Sequence, residues 1–140
     1  MRDVLIVIGV VVAAVGAAVA GAGLLTFYTF AIDRWFGPSA GIDFVALITV
    51  PTGAMIGGAI VLMGAGIWFD LAPCRAIAVM LVALPFLFAV YELFGVVDTR
   101  GVHLDYVLEI LPAVITPVFV ALAPRLARGY RAARGVVLEE

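Results

Sequence analysis

The feature that most constrains this chain is a set of four long stretches in which charged side chains are absent or rare. These stretches are residues 4–32, 44–69, 76–97 and 104–124. The first two carry no charge, and the last two carry only Glu92, Asp105 and Glu109. A hydrocarbon core about 30 Å thick requires about 20 consecutive apolar residues in a helix. Each stretch is therefore long enough to cross a bilayer once.

Composition points to the same class of protein. The chain has 140 residues, of which 66% are hydrophobic and 13% charged. A soluble domain of this size has too little interior to bury so many apolar groups. No stretch alternates polar and apolar residues with a period of two, as a membrane β-barrel requires. We therefore predict an all-α integral membrane protein with four transmembrane helices in an up-down bundle.

The distribution of arginine predicts the orientation of this bundle. With four spans both termini share one side, which would hold most of the arginines, against Arg34 and Arg100 on the other side. The arginines on the side of the termini are Arg2, Arg75, Arg125, Arg128, Arg131 and Arg134. Because basic loops stay in the cytoplasm, we expect both termini to be cytoplasmic. The absence of lysine favours a GC-rich bacterial genome, and hence a bacterial inner (plasma) membrane.

The C-terminal segment differs from the rest in charge. We predict a four-helix transmembrane domain at residues 1–124 and an arginine-rich cytoplasmic tail at residues 125–140. The tail carries an arginine at every third position: Arg125, Arg128, Arg131 and Arg134. This pattern indicates contact with anionic lipid headgroups or a docking site for a protein partner. Nucleic-acid binding is not expected, because the patch is short and the chain ends in Glu139 and Glu140.

Small residues predict where helices approach each other closely. The first helix carries a row of small residues four positions apart, and the second carries Gly53 and Gly57. The row is Gly9, Ala13, Ala17 and Gly21, with Ala14, Ala18 and Ala22 beside it. Small residues at this spacing let two helix backbones touch, and the packing then drives association in lipid. The two rows leave open pairing within the chain, pairing with another subunit, or both.

Polar residues gather in the predicted outer half of the membrane. Glu92 and Glu109 each lie five residues from the outer end of a span, about 8 Å deep at 1.5 Å per residue. The candidate ligand-binding or ion-binding residues are Glu92, Glu109, Tyr91, Thr26, Thr49 and Thr52. Because polarity stops near the middle of the membrane, we expect an outward-facing pocket or polar contact surface rather than a continuous channel.

Three interpretations of Glu92 and Glu109 stay open at this point. The carboxylates could reach the headgroups, since about 8 Å is within reach of a long side chain aided by local water. They could make structural hydrogen bonds or salt bridges, for example with Arg34 or Arg100. They could also bind a proton, a cation or a lipid headgroup.

Two prolines expose backbone acceptors in the same region. Proline has no N–H for the carbonyl four residues earlier, so Pro51 frees the oxygen of Leu47 and Pro112 frees that of Leu108. These prolines also end two similar segments, residues 28–51 and 91–112, which both run from Tyr through Asp, Arg and Gly to Asp and Pro. The likeness indicates either a parallel internal repeat or chance similarity between two apolar hairpins.

Several kinds of chemistry are excluded or disfavoured. One histidine and one cysteine cannot form a bis-histidine haem site or a dithiol pair. His103 with Asp98 and Asp105 offers too few converging ligands for a metal, and Ser39 lies in no nucleophile-elbow motif. Phosphate-binding and dinucleotide fingerprints are also missing. We therefore expect no cofactor, no bound metal and no enzymatic activity.

The function that the sequence favours is helix packing by a small, non-enzymatic, polytopic membrane protein. Its partners would be the lipid bilayer and other membrane chains or itself, as a subunit or assembly factor of a larger complex or as a homo-oligomer. The alternative is a small proton-coupled or cation-coupled transporter or channel that uses Glu92 and Glu109.

Overall fold

Among the residues that it describes, a computed structural model of the chain contains four α-helices and no β-strand. It describes the backbone of residues 2–36, 42–99 and 104–137, and the side chains of residues 4–35, 48–92, 94 and 107–130. The helices are α1 (Arg2–Phe36), α2 (Ile42–Trp68), α3 (Ala72–Thr99) and α4 (Leu104–Val137). Each is long and apolar enough to span a membrane, which confirms the predicted all-helical fold with four helices of membrane-spanning length.

The helices extend beyond the uncharged stretches of the sequence. α1 continues through Asp33 and Arg34, and α4 continues through Pro124 to Val137. Charge does not end a helix, because its backbone hydrogen bonds are internal and a polar end can leave the hydrocarbon. With 34 residues, α4 is about 51 Å long, against about 30 Å of hydrocarbon. The first residues of the predicted tail are thus a helical extension of the last span.

α1 and α2 form the most extensive contact between helices, and glycines bring their backbones together. A Cβ atom added at Gly21 would meet the carbonyl oxygen of Gly53 and lie 3.1 Å from the Cα of Gly57. One added at Gly57 would meet the carbonyl oxygen of Ala17. Since Gly21 faces Gly53 while Ala17 faces Gly57, the two helices run in opposite directions. Hydrogen is the only substituent that this backbone approach accommodates at Gly21, Gly53 and Gly57.

A hydrophobic core joins α2, α3 and α4 in the half of the molecule that contains the α2–α3 turn. Its buried members are Ala59, Met63, Ala78, Val82 and Val120. Alanine and valine fill most of these positions, so the helices approach closely and dispersion contacts accumulate along them. This half of the molecule is thus held by shape complementarity between apolar side chains.

The turn between α2 and α3 is short, and Asp70 and Leu71 determine its backbone conformation. Asp70 has a positive φ of 55°, and the N–H of Leu71 donates to the carbonyl of Gly66 at 3.0 Å, which is the long-range bond of a Schellman motif. The Arg75 guanidinium then donates to the carboxylate of Asp70 at 2.8 Å and to the carbonyl of Gly66 at 3.3 Å. A cation is favourable there because the C-terminus of α2 carries partial negative charge.

Candidate functional site

A polar contact between α1 and α4 lies directly beside the candidate residue Glu109. The Tyr28 hydroxyl donates to the carbonyl oxygen of Leu108 at 2.8 Å. That oxygen has no intrahelical donor because Pro112 follows four residues later. A side chain from α1 therefore supplies the hydrogen-bond donor that α4 lacks at this carbonyl. The bond also brings Tyr28 to the level of Glu109, which directly follows Leu108.

Threonine hydroxyls on the same part of α1 turn back to their own helix. Thr26 donates to the carbonyl of Ala22 at 2.8 Å, and Thr29 donates to that of Leu25 at 3.0 Å. Thr29 is only 2% exposed. Back-bonding of this kind satisfies a hydroxyl where water is absent, and among the described residues no buried side-chain nitrogen or oxygen lacks a partner. The hydroxyl protons of Thr26 and Thr29 are thus both donated to backbone carbonyls of α1.

The two glutamates are neither fully buried nor fully exposed. Glu92 and Glu109 are both half-buried, and each engages an interaction partner within the chain. Thr49 is half-buried and also engaged, and Thr52 is half-buried. The register of the α1–α2 contact, in which Gly21 faces Gly53, places Thr49 at about the level of Thr26. The structure therefore brings Thr26 and Thr49 to about one level, close to Tyr28, while Thr52 lies at about the level of Ala22.

Tyr91 is placed differently from the other candidates. It is 74% exposed, although it precedes Glu92 directly in the chain. Successive helical residues point about 100° apart, so these two neighbours face different surroundings. Tyr28, the corresponding residue in the similar segment at 28–51, is half-buried and bonded to Leu108. At this position the two similar segments are not equivalent in the structure.

The predicted row of small residues on α1 divides between two faces. Ala17 and Gly21 contact Gly53 and Gly57 on α2, whereas Gly9 and Ala13 are exposed, and a Cβ at Gly9 would meet nothing within 4 Å. A spacing of four residues advances about 40° around the helix at each step. The row therefore drifts by about 120° between its ends and cannot stay on one partner.

A different set of small residues on α1 does stay on one face. We call this set the exposed small stripe, and its members are Gly9, Ala13, Gly16, Ala20 and Gly23. All five are exposed, and added Cβ atoms at the three glycines would meet nothing within 4 Å. Their alternating spacing of four and three averages 3.5 residues, which keeps them aligned. The sequence contains this pattern, but a search for spacings of four alone misses it.

The arginines of the last helix are described in part. Arg125 and Arg128 are exposed, and Nε of Arg128 donates to the carbonyl of Pro124 at 3.3 Å. The side chains of Arg131 and Arg134 lie outside the described residues, as do Ser39, His103 and the side chains of Asp98 and Asp105. Within the described part of the chain, no group of three or more His, Cys, Asp or Glu residues could hold a metal ion.

Comparison with known proteins gives no family for this arrangement. The chain matches no protein-family model, and neither a curated protein nor a solved structure matches it.

Proposed function

We propose that this protein is a non-enzymatic four-helix protein of a bacterial inner membrane that works by packing its helices against another membrane-embedded chain. That chain is either a second copy or a component of a larger complex that this protein joins or helps to assemble. The observation that supports the proposal is the exposed small stripe on α1, which points away from the residues of α1 that contact α2.

The chemistry of the stripe is what favours a helix as its partner. Large apolar side chains exposed on a membrane helix need no explanation, because lipid solvates them. Small residues aligned on one face instead leave a shallow groove, and a second helix fills such a groove with more van der Waals contact than lipid tails do. The spacing of 3.5 residues fits a left-handed crossing between helices. α1 would thus use one face of small residues to contact α2 and another, the exposed small stripe, to contact the partner chain.

The orientation of the bundle is part of the proposal. The opposite directions of α1 and α2 and the short α2–α3 turn support an up-down arrangement. The excess of arginine on the side of the termini supports a cytoplasmic location for both ends. In this arrangement Arg75 lies on the cytoplasmic side with the end of α4.

The test places leucine in the groove and compares it with leucine beside the groove. Gly16→Leu and Ala20→Leu fill the exposed small stripe, while Val15→Leu changes an α1 side chain that is 60% exposed and lies off the stripe. Each variant is purified in mild detergent, and co-purifying chains and oligomer size are measured alongside helix content. We expect the stripe variants to stay folded but lose their partner chain, and Val15→Leu to keep it. Retention of the partner by both stripe variants, or a monomeric wild type without co-purifying chains, contradicts the proposal.

A second function, proton-coupled or cation-coupled transport through Glu92 and Glu109, is supported by one observation. Both carboxylates are half-buried and engaged, and Glu109 follows the residue that Tyr28 holds. Two partly shielded carboxylates, which the sequence predicts to lie at similar depth, suit a proton or a cation. Substitution of each glutamate by glutamine distinguishes this function from helix packing.

A further inference from the structure

We propose that the end of α4, residues 125–137, recruits anionic lipid headgroups on the side of the membrane where α4 emerges. This inference concerns a different part of the molecule from the exposed small stripe and does not depend on it. Its first support is the continuity of α4, which runs as one helix from Leu104 to Val137. The apolar stretch of α4 ends at Pro124, directly before Arg125, so the helix passes through the headgroup layer as it leaves the membrane.

The second support is the separation of apolar and basic side chains on this part of the helix. Leu126 and Tyr130 are 63% and 67% exposed, and residues four apart lie on the same helix face. Arg128 is two positions from each of them, which places it on the opposite face. At the end of a membrane helix, such exposed arginines extend towards the phosphates, while a tyrosine lies at the boundary with the acyl chains.

The third support is the sign of the charge. Residues 125–137 contain four arginines and no acidic residue. Arg75, by contrast, forms an ion pair with Asp70 and also bonds the C-terminus of α2, so its charge is compensated within the chain. Guanidinium groups bind phosphate oxygens through paired N–H donors. The end of α4 is therefore complementary to an anionic phospholipid surface.

Lipid fits this segment better than an acidic protein does, for a reason of geometry. Arg125 and Arg128 closely follow the apolar stretch of α4 in the chain, so phospholipid headgroups would surround them as the helix leaves the membrane. Tyr130 has an apolar ring and a polar hydroxyl, which suits the boundary between acyl chains and headgroups.

The experiment measures the lipid composition around the helix with the full-length protein. Gly129 is exposed, and a Cβ there meets nothing within 4 Å, so Gly129→Cys in a Cys74→Ser background accepts a fluorescent donor. The labelled protein is reconstituted into vesicles of phosphatidylcholine and phosphatidylglycerol. Energy transfer to acyl-labelled phosphatidylglycerol is compared with transfer to acyl-labelled phosphatidylcholine. We expect stronger transfer to phosphatidylglycerol at low salt.

Matched variants identify the source of this selectivity. Each arginine near an anionic surface should increase the preference for phosphatidylglycerol over phosphatidylcholine about fivefold. The double change Arg125→Gln, Arg128→Gln should therefore lower this lipid selectivity severalfold. The same two positions changed to Lys should retain most of it. Arg34→Gln removes one exposed arginine at the end of α1 and should leave the selectivity seen by the donor on α4 unchanged.

Salt provides a measurement that needs no arginine variant. Raising the ionic strength from about 0.1 M to about 1 M shortens the Debye length from about 10 Å to about 3 Å, and the wild-type selectivity should then fall towards one. Equal energy transfer to the two lipids at low salt overturns the proposal. That result is expected if the segment faces a protein or open water instead of lipid headgroups. Selectivity that survives both high salt and the Arg125→Gln, Arg128→Gln change overturns it as well.

Discussion

The hydroxyl of Tyr28 on α1 donates a hydrogen bond to the carbonyl oxygen of Leu108 on α4, the acceptor that Pro112 leaves without a donor. Proline in a membrane helix is tolerated when a neighbouring group satisfies the freed carbonyl. Here that group comes from a residue 80 positions away in the chain. The contact couples the first and last helices at the level of the candidate polar residues.

Removal of the hydroxyl should destabilise this contact in a way that depends on Pro112. Tyr28→Phe leaves the carbonyl of Leu108 unsatisfied and should lower the free energy of unfolding by about 0.6–1.5 kcal/mol. Pro112→Ala restores an N–H for that carbonyl, so Tyr28→Phe should cost less in the Pro112→Ala background. The four unfolding free energies of the double-mutant cycle, measured by titration with a denaturing detergent, give the coupling between the two residues.

Tyr91→Phe is the control for this cycle, since the exposed Tyr91 side chain should tolerate loss of its hydroxyl without change. An equal cost of Tyr28→Phe with and without Pro112 would show that the bond does not compensate for the proline.

The glycine contact between α1 and α2 should distinguish two glycines of the same helix. A Cβ at Gly57 would lie 2.8 Å from the carbonyl carbon of Ala17, whereas one at Gly64 would meet nothing within 4 Å. Gly57→Ala should therefore lower the free energy of unfolding by about 1–3 kcal/mol through overpacking. Gly64→Ala should leave it unchanged or raise it by up to about 1 kcal/mol, because alanine favours helix. Similar effects of the two changes would argue against the close backbone contact.

The turn at Asp70 should respond to backbone conformation more than to charge. Asp70→Gly removes the ion pair with Arg75 but accepts the positive φ, and we expect a change within about 0.5 kcal/mol, since exposed ion pairs contribute little. Asp70→Val removes the same ion pair and places a β-branched residue at φ 55°, which should cost about 1–2 kcal/mol. The comparison uses unfolding free energies in detergent micelles. If glycine were as harmful as valine, the ion pair rather than the backbone would control the turn.

Substitutions of the two glutamates separate a structural role from ion binding. Glu92→Gln and Glu109→Gln keep the shape and most hydrogen-bonding capacity, so under helix packing we expect little change in stability. Glu92→Leu or Glu109→Leu leaves the engaged partners unpaired and should cost about 1–3 kcal/mol. Proton and cation flux are measured in parallel with the protein reconstituted into vesicles. Flux in the wild type that either Gln variant abolishes would support transport instead.

The proposed orientation predicts the behaviour of fused reporters. An enzyme that is active only outside the cytoplasm should be inactive when it is fused after residue 140. The same reporter inserted at residue 39, in the segment between α1 and α2, should be active. Activity of the C-terminal fusion would reverse the orientation.

The candidate site could be predicted from the sequence only in part. Pro112 identified the carbonyl of Leu108 as an acceptor in need of a donor, because the missing N–H is a covalent property of proline. The donor could not be identified, because Tyr28, Tyr91 and several threonines offered hydroxyls at similar depth. The structure assigns Tyr28 to Leu108 and directs Thr26 and Thr29 to their own helix, a choice that depends on how α1 is rotated against α4.

The sequence by itself determined the number of spanning-length helices, since in a long and predominantly apolar stretch only a helix satisfies the backbone hydrogen bonds in lipid without a partner strand. Only the tertiary structure decided which faces of those helices meet. Hydropathy is nearly uniform around α1, α2 and α3, so no amphipathic pattern specifies their rotation, and for α1 and α2 close packing of the two backbones specifies it instead. That packing placed Ala17 and Gly21 against α2 and left Gly9 and Ala13 exposed, because a four-residue spacing turns steadily around a helix of 3.6 residues per turn.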